Sequence, residues 1–431
     1  MTHCTSNLSD FFSFFVARFP LNVYNDITMI FNALSGESGM HQKKMTIRDL
    51  AGCKINEFEQ KLYDQLLPYD WDDIYLSFKE EMIMFQNAVH LLKNTPEDTL
   101  PTIGNCEPAQ YVPLMKTLER IYDSIKRLEA PAQHPAQPPK EKVPITAKIK
   151  ACAQSQGIHL IGFTTLEPSW VFPPSENWTF LQTHQPIQCT NVVSLGMEMS
   201  PEVFNSNHFP GVETLYEALH TYAKLGEAVE EITEFIRGLG YQARGHHPYA
   251  GDFLYSAHAV KAGVGQLGAN GLVLTQKYGP RQRFAAITTD APITVTQPRD
   301  LGVDDLCYKC MRCVTTCPVN ALTPGKVNWR GTVKWKLNHK RCWKYFIANN
   351  GCGLCLIVCP WNKEDSWYHR LAATGIARSG LLRTMILALD NLFYWRRAAT
   401  NPRTGTVKPK EGPVSFAAML EIMGKENQKE T

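Results

Sequence analysis

The sequence predicts an α+β protein, and three observations carry that expectation. Between residue 145 and about residue 300, strand-like runs alternate with helix-like runs. Eight of the thirteen cysteines lie between Cys307 and Cys359. A Pro-rich stretch from Ala130 to Pro144 has no apolar period and reads as an extended, exposed linker. Together these divide the 431 residues into a helical N-terminal region (1–130), a linker (131–144), an α/β domain (145–303), a cysteine module (304–370), and a C-terminal helix with a basic tail (371–431).

The N-terminal region opens with an apolar-rich segment at Phe11, Phe12, Phe14 and Phe15. From Trp71 to Leu92, Ile74, Phe78, Met82, Phe85 and Val89 recur at helical spacing, and a third helical segment runs from Tyr111 to Leu128. No catalytic motif is visible there, so the aromatic stripes read as core. The region could shape a pocket, form a partner surface or make a homodimer.

In the next domain, Ile145 to Gln156 reads as helix, His159–Phe163 and Val192–Met197 as strands, and Thr214 to Gly238 as a long amphipathic helix that Gly238 and Gly240 can end. Leu272–Thr275 and Phe284–Thr289 read as further strands. The adjacent His246 and His247 cannot easily face one site and read as a solvated loop. Near the C-terminus, Leu381 to Tyr394 is apolar but interrupted by Arg383 and Asp390, which predicts an amphipathic packed helix. Arg396, Arg397, Arg403, Lys408 and Lys410 follow it and keep a membrane-surface role open.

The cysteines carry the clearest chemistry. Cys307, Cys310, Cys313 and Cys317-Pro318 follow C-x2-C-x2-C-x3-C-P, the spacing of bacterial [4Fe–4S] ferredoxins. Cys342 is separated by nine residues from Cys352-Gly-Leu-Cys355-Leu-Ile-Val-Cys359-Pro360. Short gaps let the thiolates of one loop converge on one cube, while the last cysteine of each run points away and serves the other. The expectation is therefore crossed ligation, with Cys307, Cys310, Cys313 and Cys359 on one cluster and Cys317, Cys342, Cys352 and Cys355 on the second. Zinc needs only four ligands, usually in two paired motifs; two runs that both close in Cys-Pro favour iron–sulfur. The remaining cysteines, at positions 4, 53, 106, 152 and 189, are isolated and read mostly as structural.

Composition narrows the rest. Hydrophobic residues at 44% and charged residues at 20% describe an ordinary soluble globular chain, not wholesale disorder. A net charge of 44 − 41 = +3 is too small to argue for nucleic acid as the main partner. No run of about 18 uncharged apolar residues predicts a membrane span. The first residues show neither a basic secretory n-region nor a twin-arginine pair, so a cytoplasmic protein with reduced thiols is expected. Two clusters in series need a redox endpoint. The chain shows no G-x-G-x-x-G fingerprint in a βαβ context and no P-loop, so that endpoint is expected within residues 145–300.

Several segments resemble the cobalamin-dependent reductive dehalogenases. They are Cys342 through Lys363 as a whole, Ala262-Gly-Val-Gly-Gln-Leu-Gly268 with Gly271-Leu-Val-Leu-Thr275, Tyr278-Gly-Pro-Arg-Gln-Arg283, Thr288–Pro292, and Phe235–Ala243. The likeness covers about residues 145–370. It implies a nitroreductase-like α/β cobalamin-binding domain beside a ferredoxin-like two-cluster module. It also implies a base-off corrinoid without a protein histidine on cobalt, and the chain has no D-x-H-x-x-G motif. The family's proton donor is a tyrosine at the start of the helix preceding F-I-R-x-L-G-Y, which Tyr222 matches, assisted by a cation that Arg283 matches. A cation beside a phenol favours the phenolate and poises the group for proton transfer.

By the same resemblance, Tyr255, Ser256, His258, Gly263, Gly265, Gly268, Asn270 and Gly271 are expected to line the corrin or its nucleotide tail. His258, and Ala269-Asn270 where Gly-Arg is usual, depart from the family pattern. The implied function is a soluble, non-respiratory reductase that cleaves a carbon–halogen bond in a small molecule, with electrons from a ferredoxin- or flavodoxin-like donor. Epoxyqueuosine reductases share both modules, but use an aspartate donor and a longer gap after the first cysteine of the second run. A non-catalytic electron carrier is the third reading; it would need the clusters and no proton donor.

Overall fold

The computed structural model describes residues 108–130, 144–172, 187–204, 212–249, 252–329, 332–348, 351–362 and 366–392, with Pro96, Thr99 and Leu100. The segments read around Phe11 and from Trp71 to Leu92, the linker at 131–143 and the basic tail beyond Leu392 lie outside the described residues. So do Cys4, Cys53 and Cys106.

The described chain begins with α1 (Pro108–Glu129) and α2 (Thr146–Ser155), then β1 (Leu160–Thr165), β2 (Asn191–Glu198), α3 (Val212–Gly238) and β3 (Ala243–His246). There follow α4 (Tyr255–Lys261), the hairpin β4 (Gly265–Leu267) and β5 (Val273–Thr275), and β6 (Gln282–Thr289). These elements form the α+β part. Its sheet runs β1-β2-β6-β3, and every pair in it is antiparallel.

Both faces of this sheet are covered, which is why β2 and β6 read as nearly continuous apolar runs. On one face Val193, Leu195, Ala285 and Ile287 pack under Ile149 of α2 and Leu225, Val229, Ile232 and Ile236 of α3. On the other, Val192 and Ala286 meet Phe253, while Phe284 meets Ala259 of α4. Each fully buried aliphatic side chain stabilises by about 1.5–3 kcal/mol. Helix α3 ends where Gly240 takes φ +91°, a left-handed turn that suits glycine.

Helix α1 buries Leu114, Leu118, Ile121, Ile125 and Leu128 at helical spacing. Its outer edge is tied to α3 by a fork of Arg120 on Glu227 (2.9 and 3.0 Å) and by Arg127 on Glu230. Such exposed pairs are worth about 0.2–1 kcal/mol each, so the apolar stripe dominates.

The cysteine module comprises α5 (Val303–Cys310), α6 (Arg312–Thr316), the hairpin β7 (Val327–Trp329) and β8 (Thr332–Lys334), α7 (His339–Ala348) and α8 (Leu354–Ile357). Helices α9 (Trp367–Arg378) and α10 (Gly380–Asp390) close the described chain. They fold back on the module: Ile376 packs with Leu274, Leu301, Val303, Leu306 and Trp361. Among the described residues no helix is long and apolar enough to cross a membrane.

Two readings need correction. His246 and His247 are not in a solvated loop: they are 1% and 2% exposed, and His246 belongs to β3. They do face different surroundings, His246 towards Asp252 and Thr288, His247 towards Gly226 of α3. Tyr222 stands well inside α3, not at a helix start.

Candidate active site

Helix α3 and strand β6 bring the two expected catalytic residues together. The Arg283 guanidinium carbon lies 5.0 Å from the centre of the Tyr222 ring. The Tyr249 ring meets the same phenol edge-on at 5.6 Å. Arg283 Nε is buried without a hydrogen-bond partner, so the cation is held by the ring face and by packing. A contact of this kind is worth about 0.5–2 kcal/mol depending on desolvation.

A cavity of about 330 Å³ lies on the same helix and strands, and neither Tyr222 nor Arg283 is among its lining residues. Its walls include Met197, Glu198, Glu217, His220, Thr221 and Tyr278. Met197 is the cross-strand partner of Arg283, and Thr221 adjoins Tyr222 in sequence. His220 Nδ1 is buried without a partner, and burial followed by Lys224 lowers the His220 pKa. Glu217 accepts from Ser200 N at 2.6 Å and from Thr221 Oγ1 at 3.3 Å. Sequence reading passed over His220 and Glu217. The available signal was their place with Thr221 and Lys224 on the turns of α3 that flank Tyr222.

The residues expected around a corrin occupy α4 and the β4–β5 hairpin. Burial, followed by the Asp252 carboxylate, raises the Tyr255 phenol well above its ordinary pKa; Ser256 is exposed. His258 is a fully engaged core histidine. Its Nδ1 meets Leu254 O at 2.9 Å, its Nε2 accepts from Glu167 N at 3.1 Å, and Trp170 and Phe253 pack edge-on against it. Neither ring nitrogen is left for a metal.

At Gly263 (φ +70°) a Cβ would strike the Gln297 carbonyl, and at Gly265 and Gly268 it would strike Leu274. Asn270 Oδ1 accepts from Leu272 N, and Gly271 (φ +75°) faces Leu337. The bare backbones therefore already serve the chain's own close packing. The same hairpin reaches the cysteines, because Ala269 N donates to Cys307 Sγ at 3.4 Å.

The eight module cysteines are free thiols in half-buried positions. Burial pushes up the pKa values of Cys307, Cys310, Cys313, Cys342, Cys352 and Cys355, and for all of these but Cys310 neighbouring cysteines add to the rise. Cys307 feels Cys359 and Cys310; Cys313 feels Cys307, Cys359 and Cys310 first, then Cys355. Cys342, pushed up to about 12, feels Cys352 and Cys317. Cys355 feels Cys352, Cys342 and Cys317 before Cys359. Cys359 thus stands with the first run and Cys317 with the second. Ala321 N donates to Cys317 Sγ at 3.3 Å. Burial, paired neighbours and amide donors to sulfur all suit thiolates that carry iron–sulfur clusters. Cys189 is buried and Cys152 packs at the margin of the sheet core, in agreement with structural roles.

Sequence reading also missed the joint between module and sheet. Arg281, 1% exposed, donates from Nη1 to Asn362 Oδ1 (2.5 Å), from Nη2 to Glu198 Oε1 (2.6 Å) and from Nε to Met199 O (3.2 Å). Asn362 in turn donates to Phe204 O, and Trp361 Nε1 donates to Gln276 O. Gly279 (φ +58°) leaves room for the Trp361 carbonyl, which a Cβ would meet at 2.5 Å. Tyr-Gly-Pro-Arg and Cys-Pro-Trp-Asn are therefore the two halves of one joint.

Comparison with known proteins agrees with this architecture. Residues 306–363 match the 4Fe-4S dicluster domain family. A tetrachloroethene reductive dehalogenase of Dehalobacter restrictus is 30% identical over 230 residues, covering 50% of this chain and 39% of that protein. An epoxyqueuosine reductase of Lactococcus garvieae is 32% identical over 152 residues, covering 31% of this chain and 42% of that protein. A solved reductive dehalogenase, described as suggesting a mechanism for B12-dependent dehalogenation, superposes with a TM-score of 0.56 at 24% identity, over 64% of this chain and 41% of that one. The chain thus spans about two fifths of the length of these relatives. Over that matched part it is a homologue of the reductive dehalogenases, related also to the epoxyqueuosine reductases, and it carries a 4Fe–4S dicluster domain.

Proposed function

We propose that the protein is a cobalamin- and iron–sulfur-dependent oxidoreductase that removes halide from a small organic molecule. The observation that carries this reading is the Arg283 cation over the Tyr222 ring. An electron carrier alone needs no such pair. The balanced reaction takes an organic halide, two electrons and one proton to the hydrogenated product and a halide ion.

In this reading Cys307, Cys310, Cys313 and Cys359 hold one cluster and Cys317, Cys342, Cys352 and Cys355 the other, as their neighbour relations support. The α/β domain would be nitroreductase-like. Cobalamin would lie along Tyr255, Ser256, Asn270 and the backbone at Gly263, Gly265, Gly268 and Gly271. The contact of Ala269 with Cys307 supports that place, because it puts the hairpin against the cluster cysteines. When bound there, a reduced corrinoid would supply the electron pair for carbon–halogen cleavage. The corrinoid would be base-off, and His258, with both ring nitrogens engaged, would not be a ligand to its cobalt.

Tyr222 would give its phenolic proton to the carbon that loses halide. Arg283 would steady the phenolate left behind until solvent reprotonates it. Electrons would come one at a time from an external ferredoxin- or flavodoxin-like protein in the cytoplasm. The epoxyqueuosine reductase relationship supports a second reading on tRNA, but that chemistry calls for an aspartate donor where this chain has Tyr222. The test is reconstitution with cobalamin, then a halide-release screen under strong reduction. Corrin absorbance and free halide are the expected results. A protein that takes up no corrin, or that releases halide from no chlorinated or brominated substrate, would overturn the proposal.

A further inference from the structure

We infer that Asn270 is a positioning residue for the iron–sulfur cluster that Cys307 holds. It fixes the tip of the β4–β5 hairpin so that the Ala269 amide stays on Cys307 Sγ, and this raises the reduction potential of that cluster. The hairpin is built to point one N–H at the sulfur. Ala269 N donates to Cys307 Sγ at 3.4 Å, across 38 positions of sequence. Between the two strands, Gly271 N donates to Gly268 O at 2.9 Å and Gly268 N to Leu272 O at 2.8 Å. Asn270, 3% exposed, locks this turn from inside, since its Oδ1 accepts from Leu272 N at 3.1 Å. Gly271 takes φ +75° there, where a Cβ would press on Leu337 at 3.1 Å. The hairpin is also tied to the helix that carries Cys307. Gln266 Oε1 of β4 accepts from Leu301 N at 2.6 Å, just before α5 begins. Ala269 itself packs beside Met311, Leu322 and Trp335 of the module.

Its origin in the chain sets this donor apart. The amides that reach Cys317, Cys310 and Cys352 belong to Ala321, Arg312 and Leu354, a few residues further along. Their geometry follows from the cysteine loops themselves. The amide at Cys307 depends instead on a turn from another part of the fold, and that turn depends on Asn270. An N–H that donates to a ligating sulfur favours the more negatively charged state, and reduction adds one electron to the cluster. Keeping the bond makes the Cys307 cluster easier to reduce, and losing it makes that cluster harder to reduce. The inference needs the dicluster domain matched at residues 306–363 and Cys307 as one of its ligands. It does not need the dehalogenation proposed above. Failure of the ligand assignment would show separately, as a full iron content in Cys307→Ser.

The test is a redox titration of the full chain with its clusters, followed by electron paramagnetic resonance. Cys352→Ser, which keeps the cluster of the first run, identifies the midpoint that belongs to Cys307. Asn270→Ala removes the acceptor for Leu272 N. That midpoint should then fall by at least roughly 30 mV, about a threefold change in the reduction equilibrium at about 59 mV per decade. The second midpoint should hold. Asn270→Ser keeps a side-chain oxygen for the amide two residues on and should stay at the wild-type midpoint. Ala269→Pro deletes the N–H itself and should lower the same midpoint at least as far. A midpoint that stays put or rises in Asn270→Ala, an equal fall of both midpoints, or a serine variant that matches the alanine one would overturn the proposal. So would loss of the Cys307 cluster from the alanine variant, which would make Asn270 a residue of cluster assembly.

Discussion

Arg283 lies over the face of Tyr222, its guanidinium carbon 5.0 Å from the ring centre. A strand and a helix separated by 61 positions in sequence hold this pair, and Arg283 Nε has no other partner. Tyr222→Phe keeps the ring and the cation contact but removes the proton. Turnover should fall by roughly 10²–10⁴-fold, with corrin and iron content unchanged. Arg283→Gln, which removes the cation from the ring face, should lower turnover by a smaller factor. Wild-type turnover by the phenylalanine variant would mean that another group donates the proton.

Crossed ligation makes a prediction about families of variants. Cys317→Ser should remove the same cluster as Cys342→Ser or Cys352→Ser, and Cys359→Ser the same one as Cys307→Ser. Each single variant should retain about four of eight irons. The electron paramagnetic resonance spectrum of the remaining cluster should be shared within each set and differ between sets. A Cys317→Ser spectrum matching that of Cys307→Ser would assign each cluster to its own run.

Asn362 holds Arg281 and Phe204 at once. Asn362→Ala leaves the buried guanidinium with Glu198 and Met199 O and the Phe204 carbonyl without that donor. A hydrogen bond to a charged group is worth about 1.5–3 kcal/mol, and the denaturant midpoint should fall accordingly. An unchanged midpoint would show that the joint carries no net stability.

Stability should also fall with pH through His247. Burial, followed by Arg127, pushes its pKa from the ordinary 6.5 down to about 3. Tyr249 N donates to its Nδ1 at 3.0 Å, which suits the neutral ring. Below about 6.5 the unfolded chain takes up a proton that the folded chain refuses until about 3. This contribution is thus present at neutral pH and is lost at about 1.4 kcal/mol per pH unit across that window. His247→Asn should flatten the dependence of the urea midpoint on pH. Parallel slopes for wild type and variant would show that another group is responsible.

The legible parts of this chain are those whose signal is local. The Cys-x-x-Cys spacings place thiols on one loop whatever surrounds it. β2, α3 and β6 were readable because both sheet faces are covered, leaving long apolar runs with a clear period. β3 was not. Ala-Arg-Gly-His has no alternation, and it is a strand through its pairing with β6. His246 and His247 looked like loop residues because polarity alone does not reveal a buried partner such as Asp252. The glycines of the β4–β5 hairpin were visible, but the neighbours that require them, Gln297 and Leu274, were not.

The order of the residues therefore determined the two-cluster chemistry, the α+β class and the main helices and strands, because spacing and period are properties of neighbours along the chain. Folding decided which side chains from distant segments share a surface. It set Arg283 on Tyr222, joined Arg281 to Asn362 across 81 positions, and turned Arg383 and Asp390 inward so that leucines face out. Those relations depend on which faces pack together, and a periodic pattern marks a face without naming what it meets.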